Sequence, residues 1–99
     1  MPIMEISVVP VGTGSPSVSA YVAEMVKRLE ELGAHYQLGP MGTVVEGSLE
    51  ELLAIARELH AVPFRMGALR VVTTIKIDDR KDKPLSAEGK IMSVKEKLR

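Results

Sequence analysis

The sequence predicts an α+β sandwich, four antiparallel strands carrying two helices on one face, with a further helix at the C-terminus. Three observations carry that expectation. Stretches of period-two alternation are separated by stretches of helical spacing. Their order is β-α-β-β-α-β, with no repeat period and no linker. The 99 residues suffice for one two-layer core and not for two, so residues 1–99 form a single domain. Two right-handed split β-α-β units interlock most simply as a ferredoxin-like sandwich with strand order 4-1-3-2.

The first strand is read over Ile3 to Val11, with Met4, Ile6 and Val8 on one face and Glu5, Ser7 and Val9 on the other. The loop "GTGSPS", Gly12 to Ser17, follows, with Ser15 as N-cap and Pro16 in the first helical position. Val18, Tyr21, Val22, Met25, Val26, Leu29 and Leu32 then recur at helical spacing up to Gly33. Glu24 and Arg28, four residues apart, are expected to pair on the outer face.

Two short strands, His35 to Pro40 and Thr43 to Gly47, flank a Met41-Gly42 turn. Gly42 is explained by the freedom a tight turn asks of its backbone. Pro40 suits an edge strand, where a missing N–H breaks no ladder bond. A two-residue turn sets Leu38 opposite Val45 and Gln37 opposite Glu46. Tyr36, Leu38 and Val45 then face the helices. Gln37, Gly39, Val44 and Glu46 face a helix-free side with Glu5, Ser7 and Val9.

Ser48 to Glu51 reads as a capping box. It opens a second helix whose stripe is Leu49, Leu52, Leu53, Ala56 and Leu59, broken by Pro63 and Gly67. The last strand runs from Arg70 to Asp78, with Val71, Thr73, Ile75 and Ile77 opposed to Val72, Thr74 and Lys76. The charged run "DDRKDK" leads to Pro84. Ser86 caps a final helix with Ile91, Val94 and Leu98 on one side.

Composition narrows the function classes. Thirteen basic and thirteen acidic side chains cancel, and only three residues are aromatic. That is not the charge or stacking surface of a nucleic-acid binder. No segment has the length of a membrane span, and the N-terminus lacks a basic leader, so the expected location is the cytoplasm. The absence of cysteine removes disulfides, thiol catalysis and thiolate metal sites. His35 and His60 are distant in sequence and show no ligand spacing, so no metal site is expected; His60 is read at a helix C-terminus, where the dipole explains it. Ser17 and Ser19 have no partnered histidine for nucleophilic catalysis. The "GTGSPS" loop lacks the lysine and spacing of a phosphate loop. "DDRKDK" reads as a solvated run of alternating charge.

Topology places the Gly12–Ser17 loop, the Met41-Gly42 turn and the Ala61–Leu69 connection at one rim, a candidate binding edge. The helix-free sheet face is a second candidate, to be covered by another subunit. Its plainer reading is a half-solvated surface that Glu5, Glu46 and Lys76 keep soluble.

The stretches "VVPVGTGSPSVSAYVA", "YQLGPMGTVVEG", "RVVTTIKIDDRKDK" and "EGKIMSVKEKL" resemble, in that order and over nearly the whole chain, the small thiamine-binding family of ferredoxin-like proteins. "PMGTVVEG" with "SVSAYVA" is the most specific part. The resemblance implies a homo-oligomer, dimer or tetramer, paired through its sheets. It implies thiamine, or its hydroxymethylpyrimidine portion, bound near subunit contacts, and no established catalytic activity. The motif positions carried over are Thr13, Ser17, Ser19, Tyr36, Gly42, Thr43 and Glu46. A carboxylate suits the cationic thiazolium or the exocyclic amine, and hydroxyls suit the ring nitrogens. With few aromatic side chains to cover a ring, Met41 is expected to share that work.

Two other classes stay in view. An acylphosphatase-like phosphohydrolase shares the fold class, but it would want an amide side chain to position water, and the chain has no asparagine. A purely structural or regulatory module would use the open sheet face only to oligomerise.

Overall fold

The computed structural model describes residues 1–98. Its elements are β1 (Ile3–Pro10), α1 (Ser19–Glu31), β2 (His35–Leu38), β3 (Thr43–Glu46), α2 (Leu49–Arg65), β4 (Val71–Asp78) and α3 (Ala87–Lys97). The sheet order is β2-β3-β1-β4, all neighbours antiparallel, which is the expected 4-1-3-2 read from the other edge. β1 is central: Ile3–Ile6 pair with β3, and the whole strand from Ile3 to Pro10 pairs with β4.

Alternation in β1 sends Met4, Ile6 and Val8 into the core, as expected, with Val45 of β3 beside them. Met25 and Leu29 of α1 and Leu52, Ile55, Ala56, Leu59 and Val62 of α2 close over that layer. Each fully buried aliphatic side chain of this set contributes about 1.5–3 kcal/mol relative to exposure.

The helix ends differ from expectation in ways the local chemistry explains. Gly12 and Gly14 take positive φ (76° and 81°), winding the loop tightly. The Ser15 hydroxyl accepts from the Ser17 N–H at 3.2 Å, so it serves this turn and not the helix. Helix α1 begins later, with Val18 as N-cap and no side-chain cap bond. Its other end is as expected. Gly33 (φ 66°) follows the C-cap, Ala34 N–H donates to Leu29 O and Gly33 N–H to Glu30 O, the paired bonds of a Schellman motif. Arg28 does not pair with Glu24. It reaches across to Glu58 of α2 at 3.2 Å and to Glu31 at 3.2 Å, while Glu24 pairs with Lys27.

In α2 the capping box forms: Glu51 N–H donates to Ser48 Oγ (3.2 Å) and Ser48 N–H to Glu51 Oε1 (3.3 Å). The helix then runs through Pro63 to Arg65 and does not break at the proline. Pro63 is buried there, and a proline so near the end removes one intrahelical bond. Leu49 and Leu53, expected in the stripe, are exposed, and Ile55 and Val62 take their place. At roughly 100° per residue Leu53 lies a quarter-turn from Leu52 and clears the core. His60 lies inside α2 rather than at its end, and Nδ1 is 2.7 Å from Thr73 Oγ1 of β4.

The hairpin register differs by two. Leu38 faces Thr43, Tyr36 faces Val45 and His35 faces Glu46, because residues 39–42 form a four-residue loop closed by Gly39 N–H to Gly42 O at 2.9 Å. A shift of two preserves which face each residue occupies, so Glu46 stays on the side away from α1 and α2. Pro40 lies in that loop, and β2 is the edge strand that it pointed to. The far face of the sheet is not free of helices. Part of it is covered by α3, capped by Ser86 accepting from Gly89 N–H at 2.9 Å.

Candidate functional site

Two clefts bracket the β2–β3 hairpin, one on each face of the sheet. The first, about 430 Å³, opens at the loop rim between α1 and the sheet. Val22 and Met25 of α1, with Val18 at its N-cap, form one wall, Ile6 and Val8 of β1 the floor, and Leu38 with residues 39–43 the opposite lip. It is an apolar slot with a polar edge, the usual character of a small-molecule site of this size. Met41 at the lip is 87% exposed, free to fold over a bound ring.

The second cleft, about 480 Å³, lies under α3, between it and His35, Gln37, Val44 and Glu46. Ser86, Ala87, Glu88 and Lys95 line its helix side, so it is the more polar of the two. Glu46 is its central acidic group, with a side chain 16% exposed. Oε1 accepts from the Ala87 N–H at the first turn of α3. Oε2 is 3.7 Å from His35 Nε2. A carboxylate at a helix N-terminus meets both unpaired N–H groups and the positive end of the helix dipole.

The seven residues singled out by resemblance are therefore divided. Gly42 and Thr43 belong to the first cleft. Ser17 and Ser19 flank Val18 of its wall, with their hydroxyls 3.4 Å apart. Thr13 stays in the loop, its hydroxyl donating to Ser15 O at 3.0 Å. Tyr36 packs its ring against the core and donates its hydroxyl to Glu30. That hydrogen bond to a carboxylate holds the phenol above its ordinary value. Glu46 lines the second cleft, together with Tyr36. Thr43 and Glu46 are three residues apart on one strand, so they point to opposite faces about 10 Å apart along it. A ligand in one cleft does not touch both.

Gly42 is placed by space and not by backbone freedom. Its φ is not positive, and a Cβ there would stand 3.2 Å from Ile6 O. Sequence reasoning passed over Leu38, Val22 and Met25 as site residues because aliphatic side chains at core spacing carry no functional signal. It also passed over Ala87, whose contribution is a backbone N–H. Most charges of the "DDRKDK" run pair within it or with α3: Arg80 donates to both carboxylate oxygens of Asp82, Lys81 meets Asp79, and Asp78 meets Lys90. Among the described residues no group of three or more His, Asp or Glu could hold a metal ion, and no helix is long and apolar enough to cross a membrane.

Comparisons with known proteins match this chain to a family. A family model described as thiamine-binding protein matches residues 4–95. The Bacillus subtilis protein YqgV is 47% identical over 99% of this chain and 98% of its own length. A Methanothermobacter thermautotrophicus protein is 42% identical over 95% of this chain and 96% of its own. Among solved structures, a Methanocaldococcus jannaschii protein of unassigned function superposes with a TM-score of 0.87 at 35% identity, covering 96% of both chains. A Thermotoga maritima protein, provisionally assigned to thiamine biosynthesis or salvage, superposes with a TM-score of 0.74 at 29% identity over 94% of this chain and 97% of its own.

Proposed function

The chain belongs to the thiamine-binding protein family, and from that membership we propose that it binds thiamine, or thiamine's hydroxymethylpyrimidine portion, without catalysing a reaction. Its role is then to hold, deliver or sense the vitamin. The observation that carries the reading is the family match across residues 4–95, joined to an apolar cleft of suitable size at the loop rim.

The pyrimidine ring is assigned to that first cleft. Val22, Met25 and Leu38 supply its apolar walls, and Met41 folds over the ring. Thr43, at the lip, offers a hydroxyl that both donates and accepts, which suits a ring with acceptor nitrogens and an exocyclic amine. Ser17 and Ser19 stand above the same wall.

Self-association goes with this reading. Val9 and Val72 face each other across β1 and β4 and are 42% and 49% exposed on the sheet face away from α1 and α2. A second copy laid on that face would bury them, as the family resemblance implies.

Calorimetry and thermal shift with purified protein test the proposal, using thiamine and hydroxymethylpyrimidine as titrants. Binding of both is expected. Absence of heat and of any shift at millimolar ligand would sink it. Thr43→Val keeps shape and removes the hydroxyl, and it should weaken pyrimidine binding roughly five- to tenfold.

A further inference from the structure

Four consecutive residues of β1, Ile6 to Val9, line the rim cleft. Side chains that alternate between two faces do not all reach one cleft, so the strand meets it with its edge. The ladder explains why that edge is open. In an antiparallel sheet, successive residues of a central strand send their N–H and C=O groups to opposite neighbours. Val11 N–H donates to Arg70 O on the β4 side, and Gly47 N–H donates to Pro2 O on the β3 side. Odd-numbered residues of β1 therefore bond toward β4 and even-numbered ones toward β3. Met4 and Ile6 meet Val45 and Thr43, and Thr43 is where β3 begins. Val8 comes next, and no residue of β3 stands opposite it. The loop over residues 39–42 closes on itself instead, through Gly39 N–H to Gly42 O. The N–H and C=O of Val8 are thus left without a ladder partner, side by side and facing the cleft. Pro10, the next even-numbered residue, fits the same open edge, since its missing N–H breaks no ladder bond.

We propose that the Val8 peptide groups read the amino edge of the pyrimidine as a neighbouring strand would. The Val8 N–H donates to the ring nitrogen beside the exocyclic amine, and the amine donates to the Val8 C=O. Val8 is 7% exposed, and a buried peptide group without a partner is costly, so a ligand that supplies both partners gains where one that supplies neither does not. The rest of the cleft leaves this task to the backbone. Among the described residues that line it none is charged, and its polar side chains are Ser7 and Thr43. Ser7 alternates with Ile6 and Val8 onto the other face of the sheet, so Thr43 is the one polar side chain on the cleft side. A neutral ring with an acceptor nitrogen next to an amine matches the paired donor and acceptor of a single residue. The assignment rests on the reading of this cleft as the pyrimidine site, and it names the ligand edge that the site selects.

Amide hydrogen exchange followed by NMR on the wild-type chain tests the donor, and calorimetry with a ligand analogue tests the acceptor. In the free protein the Val8 amide should exchange at least about tenfold faster than the ladder-bonded Ile6 amide. Saturating hydroxymethylpyrimidine should slow Val8 at least about tenfold and leave Ile6 little changed. The analogue in which hydrogen replaces the exocyclic amine keeps the ring and its hydroxymethyl group but leaves the Val8 C=O unpaired. It should bind at least about tenfold more weakly than hydroxymethylpyrimidine. A Val8 amide as protected as Ile6 in the free protein, or one that ignores saturating ligand, would overturn the proposal. Equal affinities for the two pyrimidines would overturn it as well, with pyrimidine binding left intact in each case. No heat with either thiamine or hydroxymethylpyrimidine would remove the binding reading and this edge together.

Discussion

A methyl group at position 39 would stand 2.7 Å from the Gly42 carbonyl oxygen, across the bond that closes the hairpin loop. Gly39→Ala should therefore lower stability by about 1–3 kcal/mol, while Gly47→Ala, where the same methyl meets only Glu51 atoms at 3.5 Å, should stay within about 0.5 kcal/mol. Urea midpoints of the two variants check this. The sequence drew attention to Gly42 because a two-residue turn was assumed. The need at Gly39 follows from the four-residue loop, which nothing in "LGPMGT" announces. Tyr36 carries a second residue-scale prediction. Its phenol is held above the ordinary value of 10.0, first by the bond to Glu30. A raised value means that the bond's contribution is complete below about pH 10 and is lost as the pH climbs through the folded value. The stability gap between wild type and Tyr36→Phe should thus close in alkaline denaturant titrations above pH 10; a gap constant to pH 11 would refute it.

The helices are fixed by which residues meet the sheet. Leu52 and Leu59 are at most 2% exposed, and Leu53 is 51% exposed. Leu52→Ala or Leu59→Ala should cost about 2–5 kcal/mol, and Leu53→Ala no more than about 0.5 kcal/mol, as read from thermal or urea unfolding. From sequence Leu53 looked equivalent to Leu52, since a run of leucines defines a stripe only to within a residue. The α1–α2 contact has its own pH signature. Hydrogen bonding from Arg28 holds the Glu58 carboxyl below its ordinary value of 4.5, aided by the charges of Arg28 and Arg65. A lowered value means stability present above about pH 4.5 and lost as the pH falls through the folded value. The difference between wild type and Glu58→Gln should shrink on acidification from pH 5 to pH 3, and a difference independent of pH would exclude the linkage. The sequence offered Arg28 a partner on its own helix, but local spacing cannot see a residue thirty positions away on the neighbouring one.

For the molecule as a whole, fold and strand order were legible because alternation and chirality agree, supported by the helix ends at Gly33, Ser48 and Ser86. The site was legible only in part. Parity kept Glu46 on the correct face even though the register was two residues off. The covering of that face by α3 was not legible, because the one-sided set Ile91, Val94 and Leu98 does not say which surface it meets, and the structure leaves all three exposed. If copies pair through the exposed Val9 and Val72 surface, Val72→Lys should yield monomers in sedimentation velocity while unfolding as wild type does. An unchanged oligomer would place the contact elsewhere.

The position of β1 in the sheet also has a temporal consequence. It is the first strand of the chain and the central one, and its longer ladder joins it to β4, the last. During N-to-C synthesis this strand has one neighbour or none until residues 71–78 have left the ribosome. The nascent chain carries an apolar, half-paired strand until β4 is made, with folding committed only when β1 and β4 meet.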